Sequence, residues 1–274
     1  MKDLSTLEDW IDPVCDRATW NSHGDWTMAH WSEVDSTNSA AHRALHSGMN
    51  PRLLHRTAFT ADCQHKGRGQ NSRVWSGDAD QDLAMSVLLT RSLPSGCPFA
   101  LNLAVSLSVL EGIEGFLPQI QSASLEIKWP NDIMLRGKKT GGILIENNWR
   151  GNSWASAVIG IGINVGGAHP YPNASRLMER SKTSSSSVLH LQKKVLDRLD
   201  SRLAEMGSPE ALLRQFHERL MGWGRSQRWQ LDGQEIRGIL ERIDLDGRLC
   251  VLGASGTTCH SPGEVGWLGM EPDE

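Results

Sequence analysis

The stretch Val158-Ile159-Gly160-Ile161-Gly162-Ile163-Asn164-Val165-Gly166 alternates bulky apolar residues with glycine. A period of two is that of a β-strand, so one face of this strand carries branched side chains and the other is bare. Glycines alternating in this way clear room for something packed against the sheet. The stretch superficially matches a dinucleotide-binding fingerprint, but its spacing is G-x-G-x-x-x-G. A proline-containing loop also follows where that fingerprint needs a helix. A doubly wound dinucleotide fold is excluded.

Other strands are expected over residues 28–34, 57–62, 83–90, 125–129 (stopped by Pro130) and 142–146, with the glycine-bearing strand at 154–164. Asp35-Ser36-Thr37-Asn38 offers capping side chains ahead of Ala40, Ala41, Ala44 and Leu45, a helix that Gly48 would end. Further helices are expected at 99–112, 188–206 and 209–221, the serine run 184–187 being a flexible lead-in. After Gly224 come short strands punctuated by Asp232-Gly233, Asp246-Gly247 and the glycines of 253–256. The chain therefore reads as α+β, a mixed sheet flanked by helices over 28–224. An irregular extension, 1–27, precedes it and a small β-barrel, 225–274, follows.

Composition removes several classes. A net charge of −4 gives no overall basic field for nucleic acid. No apolar run approaches the ~20 residues that span a bilayer, and residues 1–26 lack a secretory apolar region. Five widely spaced cysteines without a C-x-x-C fit free thiols in a reducing cytosol better than a disulfide framework. Eleven tryptophans against four phenylalanines and one tyrosine remain to be explained.

Three polar segments carry candidate chemistry. Gln64-His65-Lys66-Gly67-Arg68-Gly69-Gln70-Asn71-Ser72-Arg73-Val74-Trp75 combines glycines that let backbone approach a ligand with cations suited to phosphate or carboxylate. A solvated hairpin tip would have the same composition. Lys128-Trp129-Pro130-Asn131-Asp132 places an amide and a carboxylate at a strand end, a set able to hold Mg²⁺ and orient a nucleotide, or simply to cap a turn. In Gly137-Lys138-Lys139-Thr140-Gly141-Gly142, a lysine between glycines at a strand entrance can face an anion or solvent. Cys63, beside the first segment, reads as a buried structural thiol.

In order and spacing these features resemble the biotin–protein ligase family. The resemblance rests on Asp35-Ser36-Thr37-Asn38, Gln64-x-x-Gly67-Arg68-Gly69 ending in Trp75, Lys128 to Asp132, Lys139-Thr140-Gly141-Gly142-Ile143-Leu144-Ile145-Glu146, and Gly160 to Val165. It covers residues 28–268 and implies a class II synthetase-like ligase fold with an SH3-like C-terminal barrel. It also implies a cytoplasmic enzyme that converts biotin and Mg·ATP to biotinyl-5′-AMP. The biotinyl group then passes to a lysine of a biotin carboxyl carrier domain.

The resemblance assigns biotin to Ser36, Thr37, Asn38, Gln64, Gly67, Arg68, Gly69, Gln70, Lys139 and Gly142. ATP and adenylate fall to Arg68, Arg73, Trp75, Lys128, Asn131, Asp132 and Asn164. Lys139 and Arg68 are the catalytic candidates, Asp132 the candidate Mg²⁺ ligand, and Trp75 and Trp129 rigid walls. The loops 65–77 and 166–183 are the candidates to close. Many family members carry Gly-Arg-Gly-Arg, whereas here Gln70 takes the second arginine's place. No arginine follows Glu264, which puts a nucleotide contact from the barrel in doubt. About 27 residues precede the first matched strand, too few for the family's DNA-binding domain, so no DNA partner is expected; the lack of a long apolar run gives no membrane partner either, and homodimers occur in the family. The competing readings are a lipoate or octanoate ligase and a biotin-binding protein without catalysis.

Overall fold

Eight strands form the larger sheet of the computed structural model, in the order β1-β2-β3-β4-β8-β7-β6-β5. They are β1 (Thr19–His23), β2 (Trp26–Val34), β3 (Thr57–Gln64), β4 (Leu83–Leu89), β5 (Leu125–Lys128), β6 (Asp132–Leu135), β7 (Lys138–Arg150) and β8 (Ser153–Ile163). The structure describes residues 12, 14–15, 17–70, 73–91, 93–94, 96–120, 124–168 and 173–270. Expectations touching Trp10, Pro13, Asn71, Ser72, Pro170 and Pro172 lie outside these.

Among the described strands only β2 and β3 pair with each other in parallel, and a parallel pair needs a crossover. Helices α1 (Thr37–His46) and α2 (Pro51–Leu54) supply it. Ala40, Ala41 and Ala44 let α1 sit close on one face of the sheet, against Ala29, Trp31, Phe59 and Val158. The opposite face is covered by α3 (Phe99–Phe116), α4 (Ser185–Ala204) and α5 (Pro209–Glu218). There Ile159, Ile161 and Ile163 of β8 join Met28, Met85 and Val87 in the main core. Helix α3 is long and apolar enough to cross a bilayer by composition, yet two-thirds of it is buried (67%), so it is a core helix. Gly112 lets α4 approach, since a Cβ there would lie 2.7 Å from Val195 Cγ2.

A second, antiparallel sheet has the order β12-β11-β10-β9-β13. Its strands are β9 (Ser226–Leu231), β10 (Gln234–Ile243), β11 (Leu249–Gly253), β12 (Gly256–His260) and β13 (Val265–Met270). It docks on the first unit at its β10–β11 turn: Trp129 Nε1 donates to Gly247 O at 2.9 Å, and a Cβ on Gly247 would lie 2.5 Å from Phe99 Cδ2.

Three expectations need correction, and one strand was not anticipated. Residues 19–27 are not irregular, because β1 pairs with β2 in a hairpin turned by Gly24 at φ 55°. The serine run is a structured helix start, with Ser184 accepting from Ser187 N. Strand β6 went unread because its turn to β7 is Arg136-Gly137, at φ 51° and 73°, rather than the usual Asn-Gly pair. Cys250 and Cys259 form a disulfide, since the β11–β12 register sets them opposite one another, a relation invisible in sequence spacing. Cys15, Cys63 and Cys97 are free.

Candidate active site

Along one row of the larger sheet, Ala84, Gly162, Gly142 and Asp132 are register partners on β4, β8, β7 and β6. Three residues with little or no side chain thus form a flat floor that ends in a carboxylate. This floor lies in a cleft of about 790 Å³ between the two sheets. Lys139 and Gly142 are three apart and would point to opposite faces of a regular strand. A bulge between Ile133 and Met134 in the β6–β7 ladder changes that phase, and Lys139 Nζ meets Asp132 Oδ1 at 2.5 Å beside Gly142. Segment 173–175 pins Lys139 from the other side: its N–H donates to Asn173 O at 2.9 Å and its carbonyl accepts from Ser175 N at 2.7 Å.

The start of α1 makes the polar end of the cleft. Ser36, Thr37 and Asn38 are all buried, and the Ser36 hydroxyl makes no capping bond. Gln64 Oε1 accepts from Thr37 N at 2.7 Å and from Thr37 Oγ1 at 3.1 Å. Ser86 Oγ bridges Thr37 Oγ1 at 2.7 Å and Asn38 Oδ1 at 2.5 Å. Asn38 Nδ2 then donates to Glu146 Oε2 at 2.9 Å, which His42 Nε2 also meets at 3.2 Å. Arg68 Nη2 donates to Glu146 Oε1 at 2.6 Å, tying the glycine-rich loop to this network. Those partners hold the Glu146 carboxyl down to about 2. The His42 hydrogen bond dominates, burial opposes it, and the Asn38 bond and the Arg68 charge assist.

The two described arms of the loop, 67–70 and 73–75, pair with each other. Trp75 N donates to Gly67 O at 3.0 Å, and Gly69 N to Arg73 O at 2.8 Å. A Cβ on Gly67 would overlap the Trp75 carbonyl, so this position tolerates only glycine without rearrangement. The Trp75 ring is delivered onto Gly162, while Asn38 lies over Gly160. Those side chains fill the bare glycine face of β8.

At the other end, Asn131 Nδ2 donates to Ile143 O at 2.5 Å, fixing the turn that presents Asp132. Asn164 Nδ2 donates to Ser175 O at 3.1 Å. Buried Asp82 shapes the following loop by accepting from Val165 N at 2.9 Å and Gly167 N at 3.0 Å. Lys128 is half-buried, and burial lowers its pKa; Asp132 raises it, and Lys139 and Arg73 lower it further.

Ser36, Thr37, Asn38, Gln64, Arg68, Gly69, Gln70, Arg73, Trp75, Lys128, Asn131, Asp132, Lys139, Gly142 and Asn164 all line this one cleft. Gly67 does not line it and acts through the shape of the loop. The lining holds four cations, Arg68, Arg73, Lys128 and Lys139, against the single carboxylate of Asp132 among the described residues. A chain of net charge −4 therefore concentrates positive charge where anions would enter. Cys63 lies outside the lining, and burial pushes its thiol up, so nothing activates it as a nucleophile.

Sequence reasoning missed Ser86, Asp82 and His42, lone polar residues in or beside apolar runs, and passed over Glu146 although it closes a quoted motif. It also missed the second sheet's share of the wall. Gln227, Trp229, Val265, Gly266 and Trp267 all line the cleft. The alternation of β9 and β13 predicted strands without saying what they would face.

Residues 33–164 match the family model described as "Biotin/lipoate A/B protein ligase family". The chain is 28% identical to the biotin–[acetyl-CoA-carboxylase] ligase of Mycobacterium tuberculosis, over 95% of this chain and 98% of that protein. It is 37% identical to the bifunctional ligase/repressor BirA of Bacillus subtilis over 46% of this chain, spanning only 38% of that relative's length. Among solved structures, a point mutant of the Aquifex aeolicus biotin protein ligase in complex with biotin aligns with a TM-score of 0.67 at 27% identity, over 87% of this chain and 97% of that one. The A. aeolicus enzyme in complex with biotin and ATP aligns with a TM-score of 0.66 at 25% identity and the same coverage. Motif order and fold agree: the chain carries a biotin/lipoate A/B protein ligase family domain over residues 33–164 and is similar over 95% of its length to a biotin–[acetyl-CoA-carboxylase] ligase.

Proposed function

We propose that the protein joins biotin to ATP as biotinyl-5′-AMP, releasing pyrophosphate, and passes the biotinyl group to a lysine of a biotin carboxyl carrier domain in the cytoplasm. In this reading residues 28–224 carry the chemistry and 225–274 complete the cleft. The observation that carries it is the four-cation cleft set over a glycine floor. Two anions, a carboxylate and a triphosphate, must be brought together against their repulsion, and charge moves onto the departing pyrophosphate. Fixed cations in a partly dry cleft offset both.

Each side chain then has a task. Ser36, Thr37, Asn38 and Gln64 offer the ureido ring its polar partners at this end of the cleft. A biotin carboxylate oxygen attacks the α-phosphorus and the bond to the β-phosphate bridge breaks, with Arg68 and Lys139 stabilising the charge. In the second step a neutral lysine amine attacks the acyl carbonyl, and AMP leaves with the bond pair. Mg²⁺ arrives with ATP. Asp132 fits it, because magnesium is commonly held by one or two carboxylates together with substrate phosphates. The Trp75 ring shields the mixed anhydride from water.

The test is pyrophosphate release on adding ATP with biotin or with lipoate, followed by transfer of labelled biotin to a carrier domain. Release with biotin and labelling of the carrier are expected. Release with lipoate alone would move the reading to a lipoate ligase. Biotin binding without release would make the chain a binding protein.

A further inference from the structure

Lys128 ends β5 in the first unit, and its ammonium lies 4.7 Å from the centroid of the Trp267 ring on β13 of the second. This contact crosses the cleft that both residues line. Trp267 is held from behind: its Nε1 donates to Gln227 Oε1 at 2.8 Å, and buried Gln227 donates to Gly222 O at 2.8 Å. A bulge follows directly, the register passing from Trp267 opposite Trp229 to Gly269 opposite Arg228. Bulges re-aim side chains, and Gly269, at φ 143°, supplies the backbone freedom this one needs. Indole anchor and bulge together fix the direction of the ring.

The ammonium needs such a partner. Lys128 is half-buried, with the Asp132 charge favouring its ammonium and the Lys139 and Arg73 charges opposing it. Among the described residues, no carboxylate in the lining other than Asp132 is near to balance it, and Asp132 is already in contact with Lys139. Left to itself, a lysine so placed would swing toward water. The face of an indole attracts a cation without introducing a negative charge that would repel an incoming phosphate. The sequence here lacks an arginine after Glu264. A guanidinium at position 267 would repel Lys128, and the ring does the opposite.

We propose that Trp267 is a positioning residue for nucleotide binding: it holds the Lys128 ammonium inside the cleft, within reach of the ATP phosphates. The inference rests on the ligase reading and deepens it, giving the second sheet a direct part in recognising ATP through an aromatic ring. The same ring, with Met221, also lines a neighbouring cavity of about 370 Å³, so these two residues lie between that cavity and the cleft.

The experiment compares biotin-dependent pyrophosphate release by wild type, W267F, W267L, W267M, K128M and K128M/W267L, each checked by thermal unfolding. Leu and Met keep apolar bulk but have no ring face; Phe keeps the face. Expected are a rise of about tenfold in KM for ATP in W267L and W267M, with KM for biotin within about twofold of wild type. W267F should stay within about threefold, and W267L should add less than about twofold in the K128M background. The proposal is overturned if W267F is as poor as W267L, if neither W267L nor W267M changes KM for ATP, or if the W267L effect persists in full beside K128M. Should W267L not fold, W267M and W267F decide alone. Wild type that releases no pyrophosphate with biotin rejects the ligase reading itself, a separate outcome.

Discussion

A Cβ on Gly162 would lie 2.5 Å from Cε2 of the Trp75 ring, so the indole occupies space that only glycine on β8 leaves open. Gly160 stands in the same relation to Asn38. The two glycines are the imprint, on a central strand, of a loop residue and a helix-start residue that build the site.

Gly162→Ala should therefore damage function without damaging the fold. Alanine suits a strand interior better than glycine by about 0.5–1 kcal/mol, so unfolding should occur at an unchanged or slightly higher temperature. The displaced Trp75 should raise KM for ATP or biotin at least about tenfold, a loss of about 1.4 kcal/mol. Steady-state kinetics beside a melting curve checks this, and normal KM values would show that Trp75 has another place to go.

Lys139→Ala should separate stability from chemistry in the same way. The Lys139–Asp132 pair is partly exposed, the lysine side chain by 47%, and such pairs contribute little, about 0–1 kcal/mol. Losing a cation aimed at developing charge costs about 10²–10³ in rate. The expected result is adenylate formation down at least about a hundredfold with a melting temperature within a few degrees of wild type. Near-normal turnover would remove Lys139 from the chemistry.

Glu146 makes a prediction about pH. Its carboxyl titrates near 2 in the folded chain, below the ordinary glutamate value of 4.5, chiefly through the His42 hydrogen bond, against burial and with Asn38 and Arg68. A depressed folded pKa means stability that is present above 4.5 and lost as pH falls from 4.5 toward 2. The shift sets an upper bound of about 3 kcal/mol, and solvent screening brings it to about 1–2 kcal/mol. Glu146→Gln should be less stable by that amount at pH 7 in urea unfolding. The gap should shrink steadily below pH 4.5. A gap independent of pH would mean that packing, not charge, makes the difference.

How far the sequence could be read depended on whether a feature was local. The β8 glycines and the stop at Pro130 are neighbours in the chain and marked their elements directly; the run 35–38 marked where α1 begins, although Ser36 makes no capping bond and Thr37 and Asn38 turn to Gln64 and Glu146 instead. Thr140 is the counterexample: its bulge turns Lys139 toward Asp132, yet bulges have no dependable local signature. Cys250 and Cys259 were misread because their pairing depends on hairpin register. The tryptophan surplus resolves in part. Trp75, Trp129, Trp229 and Trp267 line the cleft, while Trp26 and Trp154 are core. Trp229 and Trp267 come from a unit whose side toward the cleft only its docking through Trp129 and Gly247 decides.

Gln70 is where this chain departs from the basic pattern of its family, and its effect is measurable. It lines the cleft on the loop that also carries Arg68 and Arg73, with its carbonyl accepting from Arg73 N at 3.0 Å. A neutral amide can offer the adenylate phosphate an ordinary hydrogen bond, whereas an arginine would offer a charge-assisted one, roughly twice as strong. Gln70→Arg should therefore hold biotinyl-5′-AMP longer, slowing its release about tenfold if the gain is near 1.4 kcal/mol. Adenylate formation should change little, since Arg68 and Lys139 stay in place. Where release limits how much intermediate escapes to hydrolysis, the variant should also waste less ATP when no carrier domain is present. Release can be followed by trapping labelled adenylate on filters after dilution. Identical release rates for the two proteins would show that residue 70 does not touch the adenylate.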